Sequence, residues 1–220
     1  MENYKPARMS LARCIDEFVA EVPLSEPMTT DEIYAYVLSK LPDVSKASFN
    51  VSMQRYEQKN PEIARYKKGV YYKKIDTPFG DSGIDIEEMI RRTYLLDGDE
   101  VIGYERGPSL MNKVGLTTQI PGLIYLATMK VHGSKNDPGY FLSLSKPTTE
   151  VNKANFRYLQ FLDLLQNKEK VSVEVDNPVP IMKKLIDRYS LSYEKLIWFA
   201  HYFNSKEVYD ALSHIAGGTT

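Results

Sequence analysis

The sequence predicts an α+β protein: an N-terminal winged helix-turn-helix followed by an α+β domain with a helical C-terminal tail. Three short helical patterns and a basic hairpin pattern occupy the first 76 residues. A stretch rich in turn residues, 76–83, follows them. Beyond it, helical and strand patterns are mixed, which is typical of an α+β domain. We therefore expect two domains, residues 1–76 and 77–220.

The elements of the first domain are predicted from the spacing of their apolar residues and from the residues that begin helices and form turns. An apolar stripe of helical spacing over residues 11–22 predicts the first helix. Thr29 and Glu32 form a capping-box pattern that begins the second. A third helix is predicted over 46–59. Residues 63–74 alternate aromatic and basic side chains around a Lys-Gly pair, and this pattern predicts a hairpin.

Positive charge is concentrated in one segment. The chain as a whole has a formal net charge of −1. Residues 45–75 have a net charge of +6, whereas residues 1–44 have −4 and residues 76–220 have −3. A basic segment in an otherwise acidic chain is the pattern expected of a local polyanion-binding face.

The third helix has two different sides. Phe49, Met53 and Tyr56 recur at helical spacing and are expected to face the core. The opposite side carries Asn50 and Gln54, whose amides can pair bidentately with adenine, and basic residues on the flanks can meet phosphates. A merely solvated polar face is the alternative, and the basic hairpin shifts the balance towards DNA binding. The residues predicted to contact DNA are Lys46, Asn50, Gln54, Arg55, Gln58, Lys59, Arg65, Lys67 and Lys68.

Composition excludes several classes of protein. No apolar run approaches the roughly 18 residues that span a bilayer, and the first residues lack the apolar region of a secretory signal. Cys14 is the single cysteine, which excludes an intramolecular disulfide and a cysteine-rich zinc site, and we expect it to be buried. These features predict a cytoplasmic protein with no membrane association, cofactor or metal.

The second domain is predicted as a mixture of helices and strands. The expected elements are a helix over 84–96, a strand over 101–104, a strand over 123–130 joined by the turn 133–139 to a partner strand over 140–144, a helix over 156–165, a strand over 170–175, and helices after 178. Within the last of these, residues 196–203 are apolar on more than one side. They form either core or a partner-binding surface, and core is favoured.

A motif of glycine and polar residues lies between Gly103 and Pro121. It consists of Gly-Tyr, a further Gly, a short helix, Gly-Leu-Thr-Thr-Gln, an apolar residue and Pro, followed by an apolar strand. Its Thr-Thr-Gln segment is either a polar site or a locally hydrogen-bonded turn, and the turn is slightly favoured. The motif residues are Gly103, Tyr104, Gly107, Asn112, Gly115, Leu116, Thr117, Thr118, Gln119 and Pro121.

This motif resembles the signature of the AbiEi-type antitoxin family, and the resemblance covers roughly residues 8–150. It implies a DNA-binding antitoxin of a type IV toxin-antitoxin system. Such a protein represses its own operon and counteracts a nucleotidyltransferase-like toxin, without an obligatory stable complex.

The resemblance also assigns these two roles to different parts of the chain. It assigns binding of double-stranded DNA at the protein's own promoter to the 46–59 helix and the 63–74 wing, and antitoxicity to residues after about 80. Residues 58–62 depart from the family pattern, which has a glycine turn before the wing. Assembly as a homo-oligomer on DNA is left open. The alternative is a stand-alone winged-helix regulator whose second domain senses a ligand or dimerises.

No catalytic residues are predicted, so we do not expect an enzyme. The glycines of the 103–121 motif lack the spacing of phosphate-binding loops and are expected to allow turns and a helix stop. Glu174 and Asp176, with Lys183 or Lys184 on the next helix, match a nuclease core only weakly. The three histidines have no neighbours at metal-ligand spacing.

Overall fold

The computed structural model of the chain describes residues 9–78, 80–81, 83–167 and 174–217. The chain divides into two compact units, Met1–Met89 and Ile90–Thr220. Both contain helices and strands, so the fold is α+β, and the C-terminal segment is helical, as the sequence predicts. The boundary predicted between residues 76 and 77 lies before the division at Met89.

The first unit begins with helices that pack against a small sheet. Its helices are α1 (Leu11–Glu21), α2 (Thr30–Lys40) and α3 (Lys46–Lys59). Its three-stranded antiparallel sheet consists of β1 (Met28–Thr29), β2 (Ile63–Lys67) and β3 (Val70–Lys73), in the order β1-β3-β2. The predicted capping box is confirmed: the Glu32 N–H donates to Thr29 Oγ1, and the Thr29 N–H donates to the Glu32 carboxylate. β1 was not predicted, and it adds a third strand to the predicted hairpin.

The core of the first unit forms where these helices meet the sheet. Ile15, Ile33 and Phe49 are fully buried on α1, α2 and α3. Met53 is also buried and Tyr56 is partly buried, which confirms the side of α3 predicted to face the core. Their burial removes apolar surface from water and fixes the rotation of α3 about its axis.

Cys14 is buried in this core, as predicted. Burial, followed by the nearby charge of Glu17, raises the pKa of its thiol. The side chain is therefore a protonated, small apolar group at neutral pH.

Short elements connect the first unit to the second along the chain. They are β4 (Asp76–Thr77) and β5 (Gly80–Asp81), which pair antiparallel, α4 (Ile86–Ile90), a π-helical turn (Arg91–Leu95), and β6 (Leu96–Asp97) and β7 (Glu100–Val101), which also pair antiparallel. The helix predicted over 84–96 is therefore a short α-helix continued by a π-helical turn.

A four-stranded sheet in the second unit corrects the prediction for residues 123–145. Its strands are β8 (Gly103–Arg106), β9 (Ile124–Thr128), β10 (Lys135–Asp137) and β11 (Leu142–Ser145), in the order β10-β11-β9-β8. The predicted turn 133–139 contains β10, and β11 runs parallel to β9. The hairpin prediction for these strands was wrong because β10 forms an antiparallel pair with β11, and this extra reversal makes β11 parallel to β9.

Helices cover this sheet and continue to the end of the described chain. They are α5 (Gly107–Lys113), α6 (Phe156–Asn167), α7 (Val179–Arg188), α8 (Tyr193–Ala200), a 3-10 turn (His201–Phe203) and α9 (Lys206–Gly217). On α6, Phe161, Leu164 and Leu165 are buried as predicted. Residues 170–173 of the strand predicted over 170–175 lie outside the described residues. Among the described residues, no helix combines the length and apolar character needed to cross a membrane.

The apolar segment 196–203 belongs to the core on one side only. Leu196 and Ala200, four residues apart on α8, are fully buried. Ile197 and Trp198 are 57 % and 56 % exposed, because they lie on other sides of the same helix. The prediction of core is therefore wrong for these two side chains.

Candidate nucleic-acid interface

The exposed side of α3 is defined by how the helix begins and by what it buries. Ser45 caps the helix, since its hydroxyl accepts a hydrogen bond from the Ser48 N–H over 3.2 Å. With Phe49 buried on one side, Asn50 and Gln54 are exposed on the other. The cap and the buried side together determine which amides reach solvent.

The β2–β3 hairpin lies beside α3. Its turn is at Lys68–Gly69, and Gly69 has a φ of +79°, which favours glycine. Arg65 lies opposite Tyr71 in the antiparallel register. Tyr71 is buried, whereas Arg65 and Lys68 are exposed. The hairpin thus packs an aromatic side chain inward and presents basic side chains outward.

An open groove of about 1020 Å³ lies between α3 and the hairpin. We call it the α3–hairpin groove. Six of the side chains predicted to contact DNA line it together: Lys46, Asn50, Gln54, Gln58, Arg65 and Lys68. The other lining residues are Thr30, Met53, Glu57, Ile63, Ala64, Gly69 and Tyr71. The fold therefore brings amides from one helix and cations from the hairpin to one concave surface.

The other three predicted contacts are exposed but do not line the groove. At 100° per residue, Arg55 and Lys59 lie about 140° and about 180° around α3 from Asn50. Lys67 is on β2, next to a register shift between Arg65 and Lys67. Arg55 and Lys59 therefore face away from the groove, and Lys67 belongs to the hairpin but does not line the groove.

Lys46 already makes an ion pair and a cation–π contact within the first unit. Its ammonium lies 2.6 Å from an Asp31 carboxylate oxygen and 4.4 Å from the centre of the Tyr34 ring. Asp31 partly neutralises this charge. The positive charge that faces the groove therefore comes mainly from Arg65 and Lys68.

Glu57 also lines the groove, although its sequence context did not predict a site residue. It lies near Tyr71: burial of the phenol first, and then the negative charge of Glu57, raise the pKa of Tyr71, while Arg65 lowers it. Glu57 follows Gln54 by three residues and Asn50 by seven. This helical spacing was the available signal, because it places Glu57 on the same side as the amides.

The glycines of the 103–121 motif allow close packing and turns in the second unit. A Cβ at Gly103 would lie 2.6 Å from the Ala127 carbonyl oxygen and 2.7 Å from that of Tyr94. Gly107 and Gly115 have positive φ angles at the two ends of α5. Because any side chain at Gly103 would displace backbone atoms, this glycine has a packing role.

The polar residues of the motif make both local and long-range hydrogen bonds. The Gln119 N–H donates to Thr117 Oγ1 over 3.2 Å, and Asn112 Nδ2 donates to the Thr117 carbonyl. The Thr118 N–H donates to Glu174 over 2.8 Å, and its hydroxyl contacts the same carboxylate oxygen. The local turn favoured by the sequence is present, and Thr118 adds long-range hydrogen bonding to Glu174.

The remaining motif residues differ in burial. Tyr104, Leu116 and Thr117 are buried, Gln119 is exposed, and Pro121 is half-buried. Among its Asn, Thr and Gln side chains, Thr118 and Gln119 are exposed, Asn112 is half-buried and Thr117 is buried.

A smaller pocket of about 280 Å³ lies in the second unit, beside Arg106. The Arg106 guanidinium pairs with Asp163 over 3.0 Å and donates to Ser145 Oγ over 2.8 Å. Asn167 donates to the same carboxylate. We call this the Arg106 pocket; it is lined by Arg106, Ser145 and Asn167 together with Gly107, Pro108, Tyr125, Ser134, Ser143 and Leu144.

Side chains that were considered for catalysis or metal binding do not line the α3–hairpin groove. In the part of the chain that the structure describes, no three His, Cys, Asp or Glu side chains are grouped to hold a metal ion. Glu174 is hydrogen-bonded by Thr118, and a ring nitrogen of His201 contacts the Trp198 carbonyl.

No protein-family model and no curated protein matches this sequence. A functional assignment therefore depends on the geometry of the α3–hairpin groove and on the resemblance of the 103–121 motif.

Proposed function

We propose that the chain binds double-stranded DNA through a winged helix-turn-helix in its first unit. In this proposal α3 is the recognition helix and the β2–β3 hairpin is the wing. The observation that carries it is the joint lining of one groove by the amides of α3 and the cations of the hairpin. A helix with exposed amides beside a basic hairpin matches the contacts that duplex recognition requires.

The two sets of side chains have different tasks. Asn50, Gln54 and Gln58 face the major groove, where an amide pairs bidentately with the N6 and N7 atoms of adenine. Arg65 and Lys68 meet the phosphates, which supply affinity without sequence information. Lys67 extends the positive surface along the hairpin, whereas Arg55 and Lys59 add positive charge on sides of α3 that face away from the groove.

We further propose that the protein is an antitoxin that represses its own operon and counteracts a nucleotidyltransferase-like toxin. The resemblance of the 103–121 motif to the AbiEi-type family supports this proposal. Repression is assigned to the first unit and antitoxicity to residues after about 80. No stable complex with the toxin is required.

One observation favours a second candidate, a stand-alone winged-helix regulator. The Arg106 pocket combines a guanidinium with serine hydroxyls, and its volume of about 280 Å³ is close to the lower limit for small-ligand sites. In that case the second unit senses a small molecule. A cognate toxin gene next to this one would argue against this candidate, and its absence would support it.

DNA binding is tested with the full chain and a duplex that contains its own promoter. We expect the affinity to fall with salt, with a log–log slope of about −0.9 per phosphate contacted. N50A/Q54A should reduce the preference for the promoter over random duplexes. K67A/K68A should weaken both duplexes equally. K183A/K184A, which removes two exposed lysines from α7, is the matched control and should bind as wild type does.

Failure of wild type to bind any duplex would overturn the proposal. If K67A/K68A bound as tightly as wild type, the assignment of the hairpin as the wing would be wrong.

Antitoxicity is tested by co-expression with the toxin encoded by the neighbouring gene. Wild type should restore growth. K67A/K68A should also restore it, because the proposal places antitoxicity outside the DNA-binding surface. Loss of rescue in this variant, at an equal protein level, would show that antitoxicity requires the first unit.

A further inference from the structure

We infer that Glu57 determines specificity in the α3–hairpin groove by accepting a hydrogen bond from the exocyclic amine of a cytosine. The inference rests on the proposed binding of duplex DNA. It makes the preferred site a run of A·T pairs interrupted by one G·C pair, with its cytosine facing Glu57.

The position of Glu57 supports a direct contact with a base. It lies within one helical turn of Gln54 and two turns of Asn50, on the side of α3 that lines the groove. Among the residues that line the groove, it is the single carboxylate. A duplex whose base edges reach the amides therefore brings a neighbouring base pair close to this carboxylate.

Tyr71 lies beside Glu57 in the groove. Tyr71 is 6 % exposed on β3, directly opposite Arg65 on β2. The Glu57 carboxylate is close enough to raise the pKa of the Tyr71 phenol, so the hydroxyl remains a donor beside it. A carboxylate has two oxygens with about four lone-pair sites. A bond from Tyr71 therefore leaves acceptor sites for a base.

The chemistry of the major groove selects cytosine. Cytosine presents the N4 amine as a donor, whereas guanine presents the N7 and O6 acceptors and thymine the O4 acceptor. Adenine presents a donor beside the N7 acceptor, which suits an amide better than a carboxylate. Acidic side chains therefore pair with cytosine, and the other three bases bring an acceptor close to the negative charge.

The same charge also opposes unspecific binding. A carboxylate in the groove repels phosphates, so a misplaced duplex gains less from Arg65 and Lys68. Only a correctly placed cytosine offsets the cost of desolvating Glu57. Loss of the charge should therefore increase affinity for unrelated duplexes while it reduces discrimination.

A purely structural role for Glu57 is separable from this one. Glu57→Gln retains an oxygen that accepts from Tyr71, and it removes the charge. Glu62→Gln is the matched control, because Glu62 is an exposed carboxylate near the same hairpin that does not line the groove. Thermal melts of both variants establish that the fold is unchanged.

The experiment selects duplexes from a library with a random core, using the full chain. Wild type should enrich a cytosine among A·T pairs. E57Q should lower the preference for that cytosine about tenfold and bind random duplexes more tightly. E62Q should keep the wild-type preference. In a second experiment only the DNA is changed: replacing the enriched C·G pair by T·A should weaken wild-type binding about tenfold.

The outcomes separate the two proposals. If wild type binds no duplex, the proposed DNA binding fails, and this inference fails with it. If wild type enriches a site that lacks the cytosine, or if E57Q keeps the full cytosine preference, the inference about Glu57 is overturned and DNA binding is retained.

Discussion

The backbone N–H of Thr30 donates a hydrogen bond to the carbonyl oxygen of Gly69 over 2.9 Å. This bond joins the first residue of α2 to the turn of the β2–β3 hairpin. The Thr29–Glu32 capping box determines where α2 begins. The same cap therefore also sets the position of the hairpin tip, and with it one wall of the α3–hairpin groove.

Gly69→Ala should destabilise the hairpin turn. Gly69 has a φ of +79°, and a Cβ there would lie 3.1 Å from Thr30 Oγ1. A left-handed conformation costs an alanine about 1–2 kcal/mol. We expect denaturant unfolding to show a loss of this size, together with weaker duplex binding. Gly122→Ala, where no heavy atom lies within 4 Å of the new Cβ, is the control. Equal stability of the two variants would show that the turn tolerates a side chain.

Asp163→Asn should destabilise the second unit strongly. The Asp163 side chain is 2 % exposed and pairs with Arg106 over 3.0 Å. Removing one partner leaves a partly buried guanidinium without its counter-charge, which costs about 3–5 kcal/mol. Asp97→Asn breaks the exposed pair with Lys130 and should cost at most about 1 kcal/mol. Denaturant melts measure both. A loss at Asp163 no larger than that at Asp97 would contradict the prediction.

Alkaline pH should destabilise the fold through its buried tyrosines. Burial, followed by the charge of Asp163, raises the pKa of Tyr104. Its folded pKa therefore exceeds its unfolded pKa of about 10. The stability linked to this group is fully present below pH about 10 and is lost as the pH rises towards the folded pKa. Urea melts above pH 10 should show a falling free energy of unfolding. The decline should be smaller for Tyr104→Phe, and an unchanged slope in that variant would refute this assignment.

Thr118→Val should raise the pKa of Glu174 towards its ordinary value. The Thr118 hydroxyl and N–H stabilise the carboxylate, so they lower this pKa in the folded protein. Stability linked to Glu174 is present above its unfolded pKa and is lost as the pH falls through the folded one. NMR titration of the Glu174 side chain measures the change. Thr117→Val, at a residue that makes its bonds within the motif, should leave the Glu174 titration unaltered.

The site was predictable where it depended on one helix or one turn. The buried side of α3 defined the exposed side, so Asn50 and Gln54 were identified from spacing alone. Lys68 and the hairpin turn followed from the Lys-Gly pair. Glu57 was not predicted because a negative side chain is not expected at a DNA-binding surface, although its spacing matched that of the amides.

Other features depended on contacts between distant segments. Lys46 was predicted as a phosphate contact, but its pairing with Asp31 joins α3 to α2 across the fold. Trp198 was predicted as core, but the core of the second unit covers only the Leu196 side of α8. Spacing shows that two residues share a side, and it does not show which neighbour covers that side.

The sequence by itself determined the local elements: the capping box at Thr29, the two sides of α3, and the turn at Lys68–Gly69. Each depends on residues within a few positions of one another, where backbone geometry and hydrogen bonding operate directly. Only the tertiary structure decided that β1 joins the hairpin, that β11 lies parallel to β9, and that α3 and the hairpin line one groove. These features depend on which segments pack together, and that is settled by the burial of apolar surface over the whole unit.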